Sequence, residues 1–108
     1  MGDKPVIWIV GMNFNDSEKE EEFNEWYNNV HVPEVLTAPG VVSANRYFAE
    51  GSSQGLPKYI AIYELESEDA IKKAMSSKEM SSAIMDFTKS WGKFSSDLST
   101  VIYKHIGP

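Results

Sequence analysis

The chain has 108 residues, 42% of them hydrophobic and 24% charged, with a net charge of −6 and no cysteine. These are ordinary globular values, and they exclude disulfide staples and thiolate chemistry. The acid excess argues against a general affinity for nucleic-acid phosphates or acidic membrane surfaces.

The length predicts one domain over residues 1–108. Missing cysteines fit a reducing, cytoplasmic setting. The start lacks the long apolar core and small-residue cleavage site of a signal peptide. No stretch approaches the ~20 apolar residues of a membrane span.

Residues 5–14 read as a first strand. Val6, Trp8, Val10, Met12 and Phe14 point one way, and Ile7, Ile9, Gly11 and Asn13 the other. Both sets are mostly apolar, so both faces should be covered. Asn15, Asp16 and Ser17 then start a helix, with Ser17 and Glu20 spaced as a capping box. The acids at 18 and 20–22 suit the positive end of the helix dipole and read as a solvated first turn, not a metal site.

Phe23, Trp26, Tyr27 and Val30 lie at i, i+3, i+4 and i+7, one face of that helix. Pro33 removes a backbone N–H and disfavours helix at Val32, so an end near Val30 is expected, with His31 at the mouth of an aromatic helix end. Pro39 and Gly40 mark a turn into a second strand, residues 41–49. There Asn45 and Tyr47 oppose Arg46 and Phe48.

A polar, glycine-containing connection leads to a third strand at 58–65, with Tyr63 on one face and Ile60 and Ile62 on the other. No GK[ST] follows its glycines, so it is not a phosphate loop. A short helix is expected at 67–76. A second carries the stripe Met80, Ala83, Ile84, Phe87 and Trp91, read as core, and is ended by Gly92. Residues 98–106 form the last strand.

The order β-α-β-β-α-β is the ferredoxin-like arrangement, α+β with an antiparallel four-stranded sheet and both helices on one face. A single copy leaves the other face open although its strands are apolar on both sides. A homodimer packed sheet to sheet, a dimeric α+β barrel with a cavity in each half, solves this.

The run F-N-E-W-Y-N-N-V-H-V-P-E-V with the following P-G-V resembles the EthD-like family of the dimeric α+β barrel superfamily, matching at Phe23, Tyr27, His31, Pro33, Pro39 and Gly40. Relatives of that type include lactone isomerases, polyketide cyclases, decarboxylases and accessory proteins of degradation operons. The resemblance implies a dimer working without cofactor or metal. The haem-degrading branch uses other residues on the second helix, which has no histidine here.

His31 is the sharpest catalytic candidate, because an ordinary imidazole titrates near neutral pH. Its competing role is a cation capping the helix. Tyr27, one turn earlier, could bond it or a substrate, or be an ordinary half-buried aromatic. Glu34 could orient the ring or be solvated. Trp8, Asn13, Asn45, Tyr47, Tyr63 and Tyr103 are expected on the open side of the sheet. There the first five, together with Trp26, would contact a small-molecule ligand. Only one of Asn45 and Arg46 can point into the barrel. No metal-ligand spacing and no nucleophile elbow are present.

The expected function is a cofactor-independent enzyme. It would perform acid–base chemistry (isomerisation, cyclisation, dehydration or decarboxylation) on a small carbonyl, lactone or aromatic, polyketide-like compound. The alternative is a non-catalytic, small-molecule-binding accessory protein of a degradation or biosynthetic operon. An assembly module would leave the His31 corner unexplained.

Overall fold

The computed structural model describes residues 6–51 and 55–107. Pro5, expected at the head of the first strand, and residues 52–54 of the connection between the second and third strands lie outside them. Strand β1 (Val6–Phe14) leads to α1 (Glu20–Trp26), a π-helical turn (Tyr27–His31) and α2 (Val32–Leu36). Strands β2 (Val41–Phe48) and β3 (Tyr59–Leu65) follow. Then come α3 (Ala70–Met75), α4 (Lys78–Trp91), a 3-10 turn (Gly92–Phe94) and β4 (Ser95–Lys104). All strand pairs are antiparallel, in the order β2-β3-β1-β4. This is the expected ferredoxin-like α+β arrangement.

Residues directly opposite in an antiparallel pair share a face. Val6, Trp8, Val10 and Met12 stand opposite Leu65, Tyr63, Ala61 and Tyr59, and all eight are buried. The helices lay Phe23, Tyr27, Val35, Met80, Ala83, Phe87 and Trp91 onto this face to make the core. Ile7, Ile9, Ile60 and Ile62 point the other way, beside Val101 and Tyr103 of β4, and none of them joins the core.

Several local expectations are corrected. The first helix does not end near Val30. It passes through the π turn into α2, and Pro33 sits in the first turn of α2. An α-helical continuation would put the proline ring against the carbonyl of Asn29 and lose one ladder bond, whereas a π turn shifts the hydrogen-bond register there. The buried face turns with it, so Phe23, Tyr27, His31 and Val35 are buried and Val30 is 38% exposed.

The Ser17–Glu20 capping box is not formed. The N-cap position of α1 is Lys19, without a side-chain cap, and Asp16 Oδ1 accepts from the Glu18 N–H at 3.0 Å. Glu20 turns instead to Lys58 Nζ, at 2.8 Å, and to the Tyr59 hydroxyl. Gly92 follows α4 with φ −54°, still right-handed, because the chain tightens into the 3-10 turn and does not reverse. Strand β4 starts at Ser95, earlier than expected, through a bulge where Asp97 has φ 54°.

Gly40 sits at φ +89° in the turn into β2, and a Cβ there would lie 2.8 Å from the Ala70 Cβ. Both backbone strain and crowding oppose a side chain. Gly40→Ala should therefore lower unfolding free energy by about 1–3 kcal/mol. Urea denaturation measures this, and a loss within about 0.5 kcal/mol, the usual scatter for an innocuous surface change, would contradict it.

Candidate functional site

His31 enters the interior because the π turn places it where a continuous α-helix would place its neighbour. Only 7% of the residue is exposed. The ring stacks on Trp26 (centroids 5.6 Å, 18°), meets Tyr27 edge-on at 4.7 Å and touches Phe87 at 5.5 Å. Its Nδ1 is buried and has no hydrogen-bond partner among the described residues. Burial among these rings drives the imidazole pKa down to about 4; the Arg46 charge pushes the same way, against the field of Asp86. The ring is therefore neutral at pH 7. A neutral ring inside a continuing helix is not a cationic cap.

Glu34 does not orient His31. Its Oε1 is itself buried without a partner, and its pKa is raised by burial and by the neighbouring Asp86 carboxylate.

A cavity of about 90 Å³ lies between the sheet and the helices. His31, Tyr27 and Phe87 form its helix side; Trp8, Val10, Met12 and Tyr63 form its floor; Ile84, Leu98 and Thr100 complete the lining. The Tyr27 and Tyr63 hydroxyls are 3.5 Å apart. Burial raises both phenol pKa values, so both remain protonated donors at neutral pH. Trp8 packs on Tyr63 at 5.0 Å. The wall is largely apolar, and His31, Tyr27, Tyr63 and Thr100 are the side chains that bring an imidazole or hydroxyl to it.

The sequence-derived candidates divide. His31, Tyr27, Trp8 and Tyr63 meet at this cavity, and Trp26 backs the histidine from behind. Trp8 and Tyr63 were expected on the open side; their register puts them on the helix side. Asn45 and Tyr47 lie opposite Ile62 and Ile60 and face away. Tyr103, opposite Ile7, also faces away.

Asn13 is occupied elsewhere. It donates to Asp97 at 2.9 Å and accepts from the Lys58 N–H at 2.8 Å, clamping the β4 bulge. Arg46, not Asn45, reaches the helix side, through the space left by Ala61 opposite it. Its guanidinium lies 4.0 Å over the Tyr27 ring.

Met12, Leu98 and Thr100 lining the cavity were not anticipated, nor was the position of Ile84, read as core but 48% exposed at the edge of this lining. The register pairing Thr100 with Val10 is the signal that would have found Thr100. Among the described residues, no group of three or more His, Cys, Asp or Glu could hold a metal ion, and no helix is long and apolar enough to cross a membrane.

A family model described as a domain of unknown function (DUF4286) matches residues 6–104, and the chain belongs to that family. No curated protein sequence matches it. Among solved structures, an ethyl tert-butyl ether D (EthD) family protein from Bacillus halodurans is similar at 23% identity and TM-score 0.72, over 95% of this chain and 100% of that one. SnoaB from Streptomyces nogalater, described as a cofactor-independent oxygenase, is similar at 12% identity and TM-score 0.70, over 96% and 95%. A protein of unknown function from Thermobifida fusca, described as dimeric and ferredoxin-like, is similar at 13% identity and TM-score 0.64, over 95% and 92%. The resemblance to EthD-like proteins read from residues 23–40 thus holds in the fold.

The His31 environment has a pH signature. The folded-state pKa is about 4, below the ordinary 6.5. The unfolded chain therefore binds the extra proton between those values, and stability falls as pH drops from about 6.5 towards 4. His31→Phe should flatten that limb relative to the parent. The parent–variant difference also separates His31 from Glu34, whose raised pKa acts in the opposite sense. NMR titration should show the ring neutral down to about pH 4; a midpoint near the ordinary 6.5 would contradict the buried geometry.

Proposed function

We propose that the protein is a cofactor-independent enzyme carrying out proton transfer on a small carbonyl, lactone or aromatic compound, with the reacting end of the substrate in the cavity between sheet and helices. One observation carries this reading: His31, Tyr27 and Tyr63 line one largely apolar cavity, and the two tyrosine hydroxyls are 3.5 Å apart. His31 takes a proton from carbon next to the carbonyl. The Tyr27–Tyr63 pair donates to the oxygen as enolate charge develops there.

The low basicity of the resting ring is consistent with this. An enolate beside the new imidazolium is an opposite charge at close range, which favours the charged ring during the step. Asp86 already acts in that direction. Isomerisation, cyclisation, dehydration and decarboxylation share such an intermediate. At about 90 Å³ the cavity is below the usual range for whole ligands, so the carbonyl end enters and the remainder passes out beside Ile84 and Leu98.

The functional unit in this reading is a homodimer, closed through the open sheet face. Ile7, Ile9, Ile60 and Ile62 make that face apolar, and Val101 and Tyr103 on it are 43% and 53% exposed. The dimeric description of the Thermobifida fusca relative supports the pairing. Sedimentation at micromolar concentration should give a dimer, and Ile9→Glu should shift it to monomer. A stable monomer of the parent chain would remove the pairing.

The chemistry is tested by hydrogen–deuterium exchange at carbon in a panel of small ketones, lactones and β-dicarbonyls followed by NMR. The protein should accelerate exchange of at least one. His31→Ala should reduce that rate on the order of 10²–10⁴-fold, with unchanged near-UV circular dichroism and partial rescue by added imidazole. Binding of panel members without exchange would favour the accessory-protein reading. Equal rates for parent and variant would remove His31 from the chemistry.

A further inference from the structure

A second concavity, of about 650 Å³, lies on the opposite side of Tyr27, between α1, the π turn and the edge of the sheet at β2. Its size is typical of a ligand site. Arg46 stands in its wall. It is the chain's sole arginine, in a protein of net charge −6, and it is half-buried. The ion pairs among the described residues are Lys58–Glu20 and Lys104–Glu68, so this guanidinium has no carboxylate partner there.

The guanidinium is held in place nonetheless. Nη1 donates to the Asn28 side-chain oxygen at 2.9 Å, and Nη2 to that of Asn24 at 3.0 Å. The Tyr27 ring supports it from below at 4.0 Å. Among the described residues, the two amides use two of its five donors. A cation that has already lost part of its hydration, that is fixed in orientation and that keeps spare N–H groups is prepared for a planar oxyanion. Burial lowers the Arg46 pKa, which records the same desolvation.

We propose that this groove binds a small organic carboxylate, gripped by Arg46 between Asn24 and Asn28. A monoanion suits it better than a dianion, because Glu20 also lines the groove, its charge matched by Lys58.

The probe is benzoate, with benzamide as its neutral counterpart and inorganic phosphate as the dianion, titrated into the isotope-labelled full chain. Benzoate at millimolar concentration should move the side-chain amide resonances of Asn24 and Asn28, and benzamide should not. Arg46→Gln should weaken benzoate binding about ten- to a hundredfold, the range for a lost charge-assisted hydrogen bond. Arg46→Lys should recover part of it. Should Arg46→Gln fail to fold, Asn28→Ala removes one support from an exposed position and should lower affinity severalfold. Resonances unmoved by benzoate, equal response to benzamide, undiminished affinity in Arg46→Gln, or tighter binding of phosphate would each overturn the assignment.

Discussion

Pro33 lacks the N–H that an α-helix would use there, and the candidate site depends on how the chain accommodates that loss. In a regular α-helix, residues four apart drift by about 40° around the axis. A row at 23, 27, 31 and 35 would then swing off the sheet. The wider turn over Tyr27–His31 brings the row back, and Phe23, Tyr27, His31 and Val35 are all buried. The i+7 neighbour of Phe23, Val30, is left facing outward. A packing consequence of one missing donor therefore becomes a chemical one: an imidazole stripped of water among three aromatic rings.

Much of this was legible in residue order. Near-continuous apolar runs of strand length at 6–14 and 59–65, helical spacing at 23–30 and 80–91, and the breakers Pro39 and Gly40 indicate the βαββαβ order, and the four-residue spacing pairs Tyr27 with His31. The side of the sheet was not legible. In β1 the sets Val6, Trp8, Val10, Met12 and Ile7, Ile9 are both apolar, so alternation says they oppose each other without saying which meets the helices. That choice is made by non-local packing, which carries Trp8 and Tyr63 to the helix side. The partners of Asn13 are not legible in local spacing either: Asp97 and the Lys58 N–H are 84 and 45 residues away in the chain. The π turn was not legible either, since a proline after a helical run usually reads as a stop.

Tyr27 ties the two concavities together. Its ring carries Arg46 on the groove side, while its hydroxyl meets Tyr63 on the cavity side. The Arg46 charge pulls the pKa values of Tyr27, Tyr63 and His31 downward, each against or with burial. It makes the phenols better donors to a developing oxyanion and the imidazole a poorer resting base. An anion held on Arg46 would relax both effects at once. In the proposed reading, occupancy of the groove would be coupled to proton affinity in the cavity by this through-space field, with no backbone movement required.

The alternation that obscured the faces also separates their duties. Trp8 and Val10 line the cavity, while Ile7 and Ile9, interleaved with them, make the open face. Adjacent residues on one strand point to opposite sides, so a side chain can change on one face without touching the other. Backbone displacement is the exception, because β1 is hydrogen-bonded to both β3 and β4 and carries both sets. Closing the open face would restrain the strand that floors the cavity. A partner there would steady the cavity floor by holding Trp8 and, across the ladder, Tyr63 in register. The central position of β1 and β3 in the sheet makes that restraint effective, whereas Arg46 on the edge strand β2 is held from the helix side, by Asn24, Asn28 and the Tyr27 ring.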